Sequence, residues 1–387
     1  MGWKEVKVEE QRLNFIDEYI VDNLSFTALC EAYNISRKTG YKWLERFYEN
    51  GKEGLQDLSR APHSNARELA EDITNAILVI KKTYPHWGAK KIHVELQKYH
   101  AHLRLPSINS VGNVLERFGL VAARRYRRRV PDTAPLAHCV EANSVWSCDF
   151  KGWFLTGDGK KCEPLTMTDG HTRYLLRCVP MKRKGIESVW AVFDAAFREY
   201  GLPLRMRSDN GPPFAAPATG RLSSLSILLI KAGVVPEWIS PGKPQENGRH
   251  ERFHLTLKNE TATPPAATLE AQARDFLKFQ NYYNHKRPHE ALGQQTPGSL
   301  YTPSERKWNG RLRSPEYPDS YMKRKVMKCG RIAWHGEDLF ISESLYGEYV
   351  GLLEQANGQF EVHYGPILLG TINEKCQFEK FKRKQSC

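Results

Sequence analysis

The sequence predicts a multidomain chain of α and α/β class. Two N-terminal helix-turn-helix domains are expected, then a mixed-sheet core flanked by helices and a small C-terminal β-barrel. Three observations carry this. Apolar residues recur at helical spacing as far as Phe118, switch to strand alternation at Val145, and return as short alternating runs after Lys325. At 387 residues the chain exceeds one ordinary domain. Its 40% hydrophobic and 11% aromatic content supports packed cores and excludes a disordered chain. The expected domains span residues 1–50, 66–122, 140–300 and 322–375.

Residues 8–49 read as three short helices. Leu13, Ile16, Tyr19 and Ile20 share one face of the first. Ser25 is placed to cap the second, with Phe26, Leu29 and Tyr33 inward. Asn34 suits the left-handed turn, and Ile35 plugs the core. Ser36 caps a third helix with Tyr41, Leu44 and Phe47 inward, while Arg37, Lys38, Thr39 and Lys42 point outward. This is the helix-turn-helix plan, whose last helix enters a DNA major groove. The alternative is a plain three-helix bundle with a solvated basic face.

Gly51–Asn65 is a linker. A second module follows: Leu69, Ile73, Ile77 and Ile80 line a helix over 68–84, Trp87–Ile92 opens another, and Ser107 caps a third packed through Val111, Val114, Leu115 and Phe118. Two tandem units read a longer DNA site than one. Arg124, Arg125, Arg127, Arg128 and Arg129 then fill five of six positions. Such a cluster cannot enter a core. It is a solvated linker or, beside two such modules, a phosphate clamp. The net charge of +13, from 57 basic and 44 acidic residues, favours a polyanionic partner through counterion release.

The eight cysteines form no C-x-x-C pair, so a structural zinc is not expected. Scattered thiols and the lack of a signal peptide fit a reduced, cytoplasmic protein. The longest apolar run, Leu225–Ile230, is far too short to span a bilayer.

From Val145, strands are expected over 145–155, 162–168, 173–180, 204–208 and 234–239, and helices over 186–200, 222–231, 245–260 and 268–284. This order indicates a mixed sheet flanked by helices. Residues 302–321 read as linker. Ile332/Trp334, Leu339/Ile341, Phe360/Val362/Tyr364 and Ile367/Leu369 then suggest a small barrel, serving as a cap or a DNA-binding module.

Three carboxylates carry the chemistry. Alternation puts Asp149 with Val145, Ser147 and Lys151 on one strand face, against Trp146, Cys148 and Phe150. A carboxylate among apolar neighbours is costly unless paired or metal-bound. Asp209 follows a strand, where ligands collect in open α/β sheets. Glu251 shares a helix face with Asn247, His254 and Lys258. Carboxylate oxygens suit Mg²⁺ or Mn²⁺, and a pair of such ions cuts and joins phosphodiesters.

The strings VWSCDFKGWF, TMTDGHTRYLL, RSDNGPPFA, SPGKPQENGRHERFHLTLKNE and YYNHKRPHEALGQQTP resemble the DDE catalytic core of bacterial insertion-sequence transposases. That family shares an RNase H-like fold with retroviral integrases. ISRKTGYKWLERF, LSRAPHS, HWGAKKI and PSINSVGNVLERFGLV extend the resemblance to the front of the chain. The resemblance implies that Asp149, Asp209 and Glu251 bind the metal. It implies that His254 and Lys258 contact DNA near the scissile phosphate, and that Asn210 and Gly211 shape the turn of Asp209.

Fifty-nine residues separate the first two carboxylates and forty-one the second pair, a gap wider than in integrases that carries an insertion at Ala215–Ser226. The N-terminal His/His/Cys/Cys zinc domain of retroviral integrases has no counterpart here. Both departures point to the transposases.

Nearby rivals read differently. Glu246 would sit at a helix start, where an acid is simply stabilising. Asp169 reads as a turn residue and Glu260 as exposed, while Arg287, Pro288 and His289 resemble a family segment of structural or subunit-bridging role. The expected activity is Mg²⁺-dependent DNA transposition on double-stranded DNA, with transposon ends and target held by at least a dimer. A catalytically silent DNA-binding regulator and an RNase H-like nuclease for RNA–DNA hybrids are the alternatives.

Overall fold

The computed structural model describes residues 8–58, 69–102, 104–121, 139–239 and 248–381. The arginine cluster 124–129, Glu246 and Asn247 lie outside the described residues. The chain divides into two compact units, Met1–Leu69 and Ala70–Cys387.

The first unit holds α1 (Val8–Val21), α2 (Phe26–Ala32) and α3 (Arg37–Asn50). Ser25 accepts from the Ala28 amide and Ser36 from the Thr39 amide, so both expected caps form. Asn34 takes the left-handed turn at φ 53°. Phe15, Ile16, Leu29, Cys30, Trp43, Leu44 and Leu55 make the core, with Ile35 packed against it. The helix phase departs from the expectation in one respect. Tyr41 and Ile20 are exposed, and Gly40 and Trp43 take the inward places of α3. Arg12 stands 3.8 Å over the Trp43 ring, which closes that side of the core.

The second unit begins with α4 (Glu71–Thr83), α5 (Ala89–Tyr99) and α6 (Ile108–Arg117). Ile73, Ile77 and Ile80 of α4, Ile92 and Leu96 of α5, and Val111, Val114 and Leu115 of α6 are buried. Ser107 caps α6 by accepting from the Ser110 amide. Phe118, expected inside, is half exposed because it lies one residue past the helix, beyond its apolar stripe.

The core sheet contains β1 (Val145–Phe150), β2 (Phe154–Leu155), β3 (Lys161–Asp169) and β4 (Leu175–Met181). Next come α7 (Ile186–Tyr200), β5 (Arg205–Ser208), α8 (Ser224–Lys231) and β6 (Val235–Trp238). Then α9 (Gly248–Thr261) and α10 (Leu269–His285) complete it. The strand order is β2-β3-β1-β5-β6, with β4 paired to β3. The β1–β3–β4 part is antiparallel, and β5 and β6 join in parallel. This is the mixed sheet expected. Trp146, Cys148, Leu165 and Met167 pack against Val189, Phe193 and Phe197 of α7. Cys162, Leu175 and Cys178 meet Phe253 and Leu257 of α9 and Phe276 and Phe279 of α10.

The segment read as linker runs packed along this core. Arg306 donates to the carbonyls of Pro203 and Gly233, and Trp308 donates to Asp194 at 2.7 Å. Beyond it lie β7 (Tyr321–Lys325), β8 (Arg331–Trp334), β9 (Glu337–Phe340), β10 (Tyr349–Glu354), β11 (Phe360–Tyr364), β12 (Ile367–Ile372) and β13 (Phe378–Lys380). Their pairing corrects the expected barrel. Among the described residues they form an open five-stranded sheet, β13-β12-β11-β10-β7, and a separate β8–β9 hairpin. The apolar faces of both are covered without closure, because Leu222, Ile227 and Ile230 of the core join Val350, Leu352, Val362 and Leu369 in one cluster.

Candidate active site

Parallel pairing of β1 with β5 matches Val145 to Arg205, Trp146 to Met206 and Ser147 to Arg207. Beyond this paired stretch, Asp149 follows Ser147 by two residues in β1, and Asp209 follows Arg207 by two residues, just past the end of β5. Both carboxylates bear on the same buried thiol. Burial pushes Cys148 well above its ordinary pKa, and the charges of Asp149 and then Asp209 push it further. Two acids of adjacent strands thus concentrate negative charge at one edge of the sheet, as hard oxygen donors for a divalent cation would. The loop holding Asp209 is pinned. Its Oδ1 accepts from the Gly211 amide at 3.1 Å, and Asn210 donates to the Ile239 carbonyl and accepts from Arg221.

Glu251 lies exposed in the first turn of α9. Its neighbours on that helix tie it to the strand of Asp149. Thr166 of β3 is the residue paired with Asp149 across the sheet, and its hydroxyl donates to the Asp149 carbonyl at 3.1 Å. The same oxygen meets His250 Nε2 at 2.7 Å and His254 Nε2 at 2.9 Å. Thr168 reaches His250 Nδ1 at 3.3 Å. Among the described residues, however, no three His, Cys, Asp or Glu side chains stand together as a metal-holding group. Asp149 and Asp209 lie at the same end of neighbouring parallel strands, and both act on Cys148. Glu251 is delivered on a helix anchored to the same strand pair, without closing a three-donor cluster.

His254, for which the resemblance implies a DNA contact, meets the sheet through Thr166. It is half-buried, engaged with Thr166, and held neutral: burial and then Lys151 lower its pKa to about 4. Burial likewise drives His250 well below the ordinary value, with His254 adding to it. Lys258 remains exposed on α9, as Arg37, Lys38 and Lys42 do on α3, with Thr39 partly covered.

The rivals resolve into structural parts. Asp169 is buried and accepts from the amides of Asn143, His171 and Thr172 and from the Thr172 hydroxyl, which makes it the organiser of the β3–β4 turn. Glu260, expected to be exposed, is half-buried and pairs with Arg287 at 3.2 Å. Thr166, Thr168 and His250 escaped the sequence reading. Their signal was present as Thr at alternate strand positions and His at i, i+4 on one helix face.

An integrase core behind helix-turn-helix domains is the class that this architecture defines. The integrase core domain family matches residues 140–244 and 232–297, a helix-turn-helix domain family matches 11–63, and a homeodomain-like domain family matches 39–115. These matches, together with similarity to insertion-element proteins, are consistent with an insertion-sequence transposase of the retroviral integrase superfamily. It is 27% identical over 254 residues to the insertion element IS407 uncharacterized 31.7 kDa protein of Burkholderia multivorans, covering 64% of this chain and 87% of that protein. It is 26% identical over 246 residues to the insertion element IS476 uncharacterized 39.2 kDa protein of Xanthomonas euvesicatoria, covering 62% of this chain and 67% of that one. Among solved structures, the HTLV-2 integrase catalytic core domain in complex with magnesium matches at 16% identity and a TM-score of 0.34, over 42% of this chain and 98% of that chain. Among the described residues, no helix is long and apolar enough to cross a membrane.

Proposed function

We propose that this protein is a divalent-metal-dependent DNA transposase that binds the terminal inverted repeats of its element, cleaves a strand there and joins the freed 3′-hydroxyl to target DNA. The observation that supports the reading is that Asp149 and Asp209 come at the same end of the paired parallel strands β1 and β5 and both act on Cys148. Asp149, Asp209 and Glu251 would hold Mg²⁺ or Mn²⁺. When bound, such ions supply activation of the attacking oxygen and stabilisation of the leaving one. The chain's own groups do the rest. Lys258 offers an exposed cation to the phosphate, seven residues along α9 from Glu251. Arg37, Lys38, Thr39 and Lys42 present the first module to the major groove, and Arg124, Arg125, Arg127, Arg128 and Arg129 clamp phosphates. Two element ends must meet for joining, so at least a dimer assembles on DNA.

Cleavage of end-containing DNA tests this. Asp149→Asn, Asp209→Asn and Glu251→Gln should each lose strand cleavage by about a thousandfold or more while DNA binding persists, since each removes a charged oxygen donor from the reacting centre. Full activity in any one of them removes that residue from the proposal. A second reading, a DNA-binding regulator without turnover, draws on Glu251 standing outside a closed cluster. Nicking of labelled DNA with Mg²⁺, above an EDTA control, decides between the two.

A further inference from the structure

We infer that Thr166 is a positioning residue, whose single hydroxyl sets the helix bearing Glu251 against the strand bearing Asp149. The inference rests on the reading of the three carboxylates given above. Thr166 is fully buried on the central strand β3, directly across from Asp149 and on the sheet face that α9 covers. A hydroxyl carries one proton and two lone pairs. Its proton goes to the Asp149 carbonyl at 3.1 Å. Both imidazoles at 2.7 and 2.9 Å must therefore donate their Nε2 protons to it. His250 then accepts on Nδ1, so the Thr168 hydroxyl donates there. Every hydrogen-bonding position of the Thr166 oxygen is used.

The three partners are chosen by place. One is the backbone of Asp149 itself. The other two lie one residue before and three residues after Glu251, so they hold the first turn of α9 on both sides of that residue. The two rings also pack edge to face, 4.7 Å apart, which fixes their orientation. Loss of the hydroxyl removes the shared acceptor of two imidazole N–H groups and the donor to the Asp149 carbonyl, and α9 must shift to compensate. A misplacement of about 1 Å at a reacting centre costs on the order of a hundredfold in rate.

The test uses the full chain with Thr166→Val and Thr166→Ser, read by DNA cleavage, DNA binding and Mn²⁺ binding by the protein without DNA. Thr166→Val should cleave about a hundredfold more slowly and require several-fold more Mn²⁺ for half-saturation, with DNA affinity unchanged. Thr166→Ser keeps the hydroxyl and should restore both to within a few-fold of the parent. Should Thr166→Val fail to fold, His254→Phe against His254→Gln asks the same question at a half-buried site, since glutamine can still donate. The inference is overturned if Thr166→Val cleaves and binds Mn²⁺ like the parent, if serine restores neither, or, where the His254 pair decides, if phenylalanine and glutamine behave alike. Asp149→Asn separates the two levels. An inactive Asp149→Asn beside an active Thr166→Val rejects only the positioning role, whereas an active Asp149→Asn rejects the reading beneath it.

Discussion

Lys91 shows how one residue reports on its surroundings. It stands on α5, and burial with the nearby Arg287 lowers its pKa to about 7, against the opposing pull of Glu260 and Glu290. In the unfolded chain the amine titrates near 10.4. Between those values the unfolded state binds more protons, so this residue's contribution to stability rises with pH from about 7 to about 10 and its cost is complete below 7. Lys91→Met should therefore raise the melting temperature at pH 7 and flatten the rise toward pH 10. Thermal melts across that range check it, and a profile parallel to the parent's would count against it. None of this was legible in HWGAKKI, because the charges that act on Lys91 come from Glu260, Arg287 and Glu290, far along the chain. His289 belongs to the same surroundings. Its pKa falls to about 3 through burial first and then Lys91, and its Nε2 has no hydrogen-bond partner among the described residues.

At the scale of elements, α3 approaches α1 and α2 closely enough to demand a glycine. A Cβ on Gly40 would stand 2.8 Å from Cys30 Sγ, 2.9 Å from Phe26 Cζ and 3.0 Å from Phe15 Cζ. Alanine gains roughly 1 kcal/mol of helix propensity there, but overpacking typically costs about 1–3 kcal/mol. Two rings and a sulfur must give way together, so the upper part of that range applies. Gly40→Ala should lower the stability of the first unit by about 1–2 kcal/mol net, read from the midpoint of urea denaturation at unchanged m-value. An unchanged or higher midpoint would mean that the helices part freely. The sequence shows a helix over these residues and its cap at Ser36. It does not show which of Gly40, Tyr41 and Trp43 faces in, because the three lie within one turn and the choice depends on how α1 and α2 approach.

For the molecule as a whole, the second helix-turn-helix module is bound into the unit that contains the core. Trp87 is 1% exposed, stacks on Tyr84 at 4.0 Å and donates its Nε1 proton to the Tyr282 hydroxyl of α10 at 2.6 Å. Lys90 pairs with Glu290 beside it. Tyr282 also accepts from Arg287, the partner of Glu260 on α9, so the module connects through side chains to the helix that carries Glu251. Tyr282→Phe strands a buried indole N–H at a cost of about 1–3 kcal/mol. Calorimetry should show the transition of the larger unit lowered by a few degrees and that of the smaller unit unmoved. Equal displacement of both would contradict the division at Leu69. At the other end of this unit, the segment Ala215–Ser226 meets the C-terminal strands. Thr219 donates to the Ile341 carbonyl at 2.6 Å, and Leu222 enters the C-terminal core, so this segment forms the seam that seats the last sheet.

The sequence by itself determined what is local. Helix 186–200 appears at those bounds, the caps at Ser25, Ser36 and Ser107 form, and the alternation around Asp149 places Trp146 and Cys148 in the core. Such features depend on neighbours within a turn of helix or two strand residues, which the order of residues specifies directly. Only the tertiary structure decided how elements register. Asp149 and Asp209 come to the same end of the sheet because β1 and β5 pair in parallel with one offset, and the offset comes from burial along both strands. The Thr166 cluster, the open C-terminal sheet and the Trp87–Tyr282 contact likewise join residues that no local pattern links. Their physical cause is the need to satisfy buried polar groups and cover apolar faces with whatever the fold brings near.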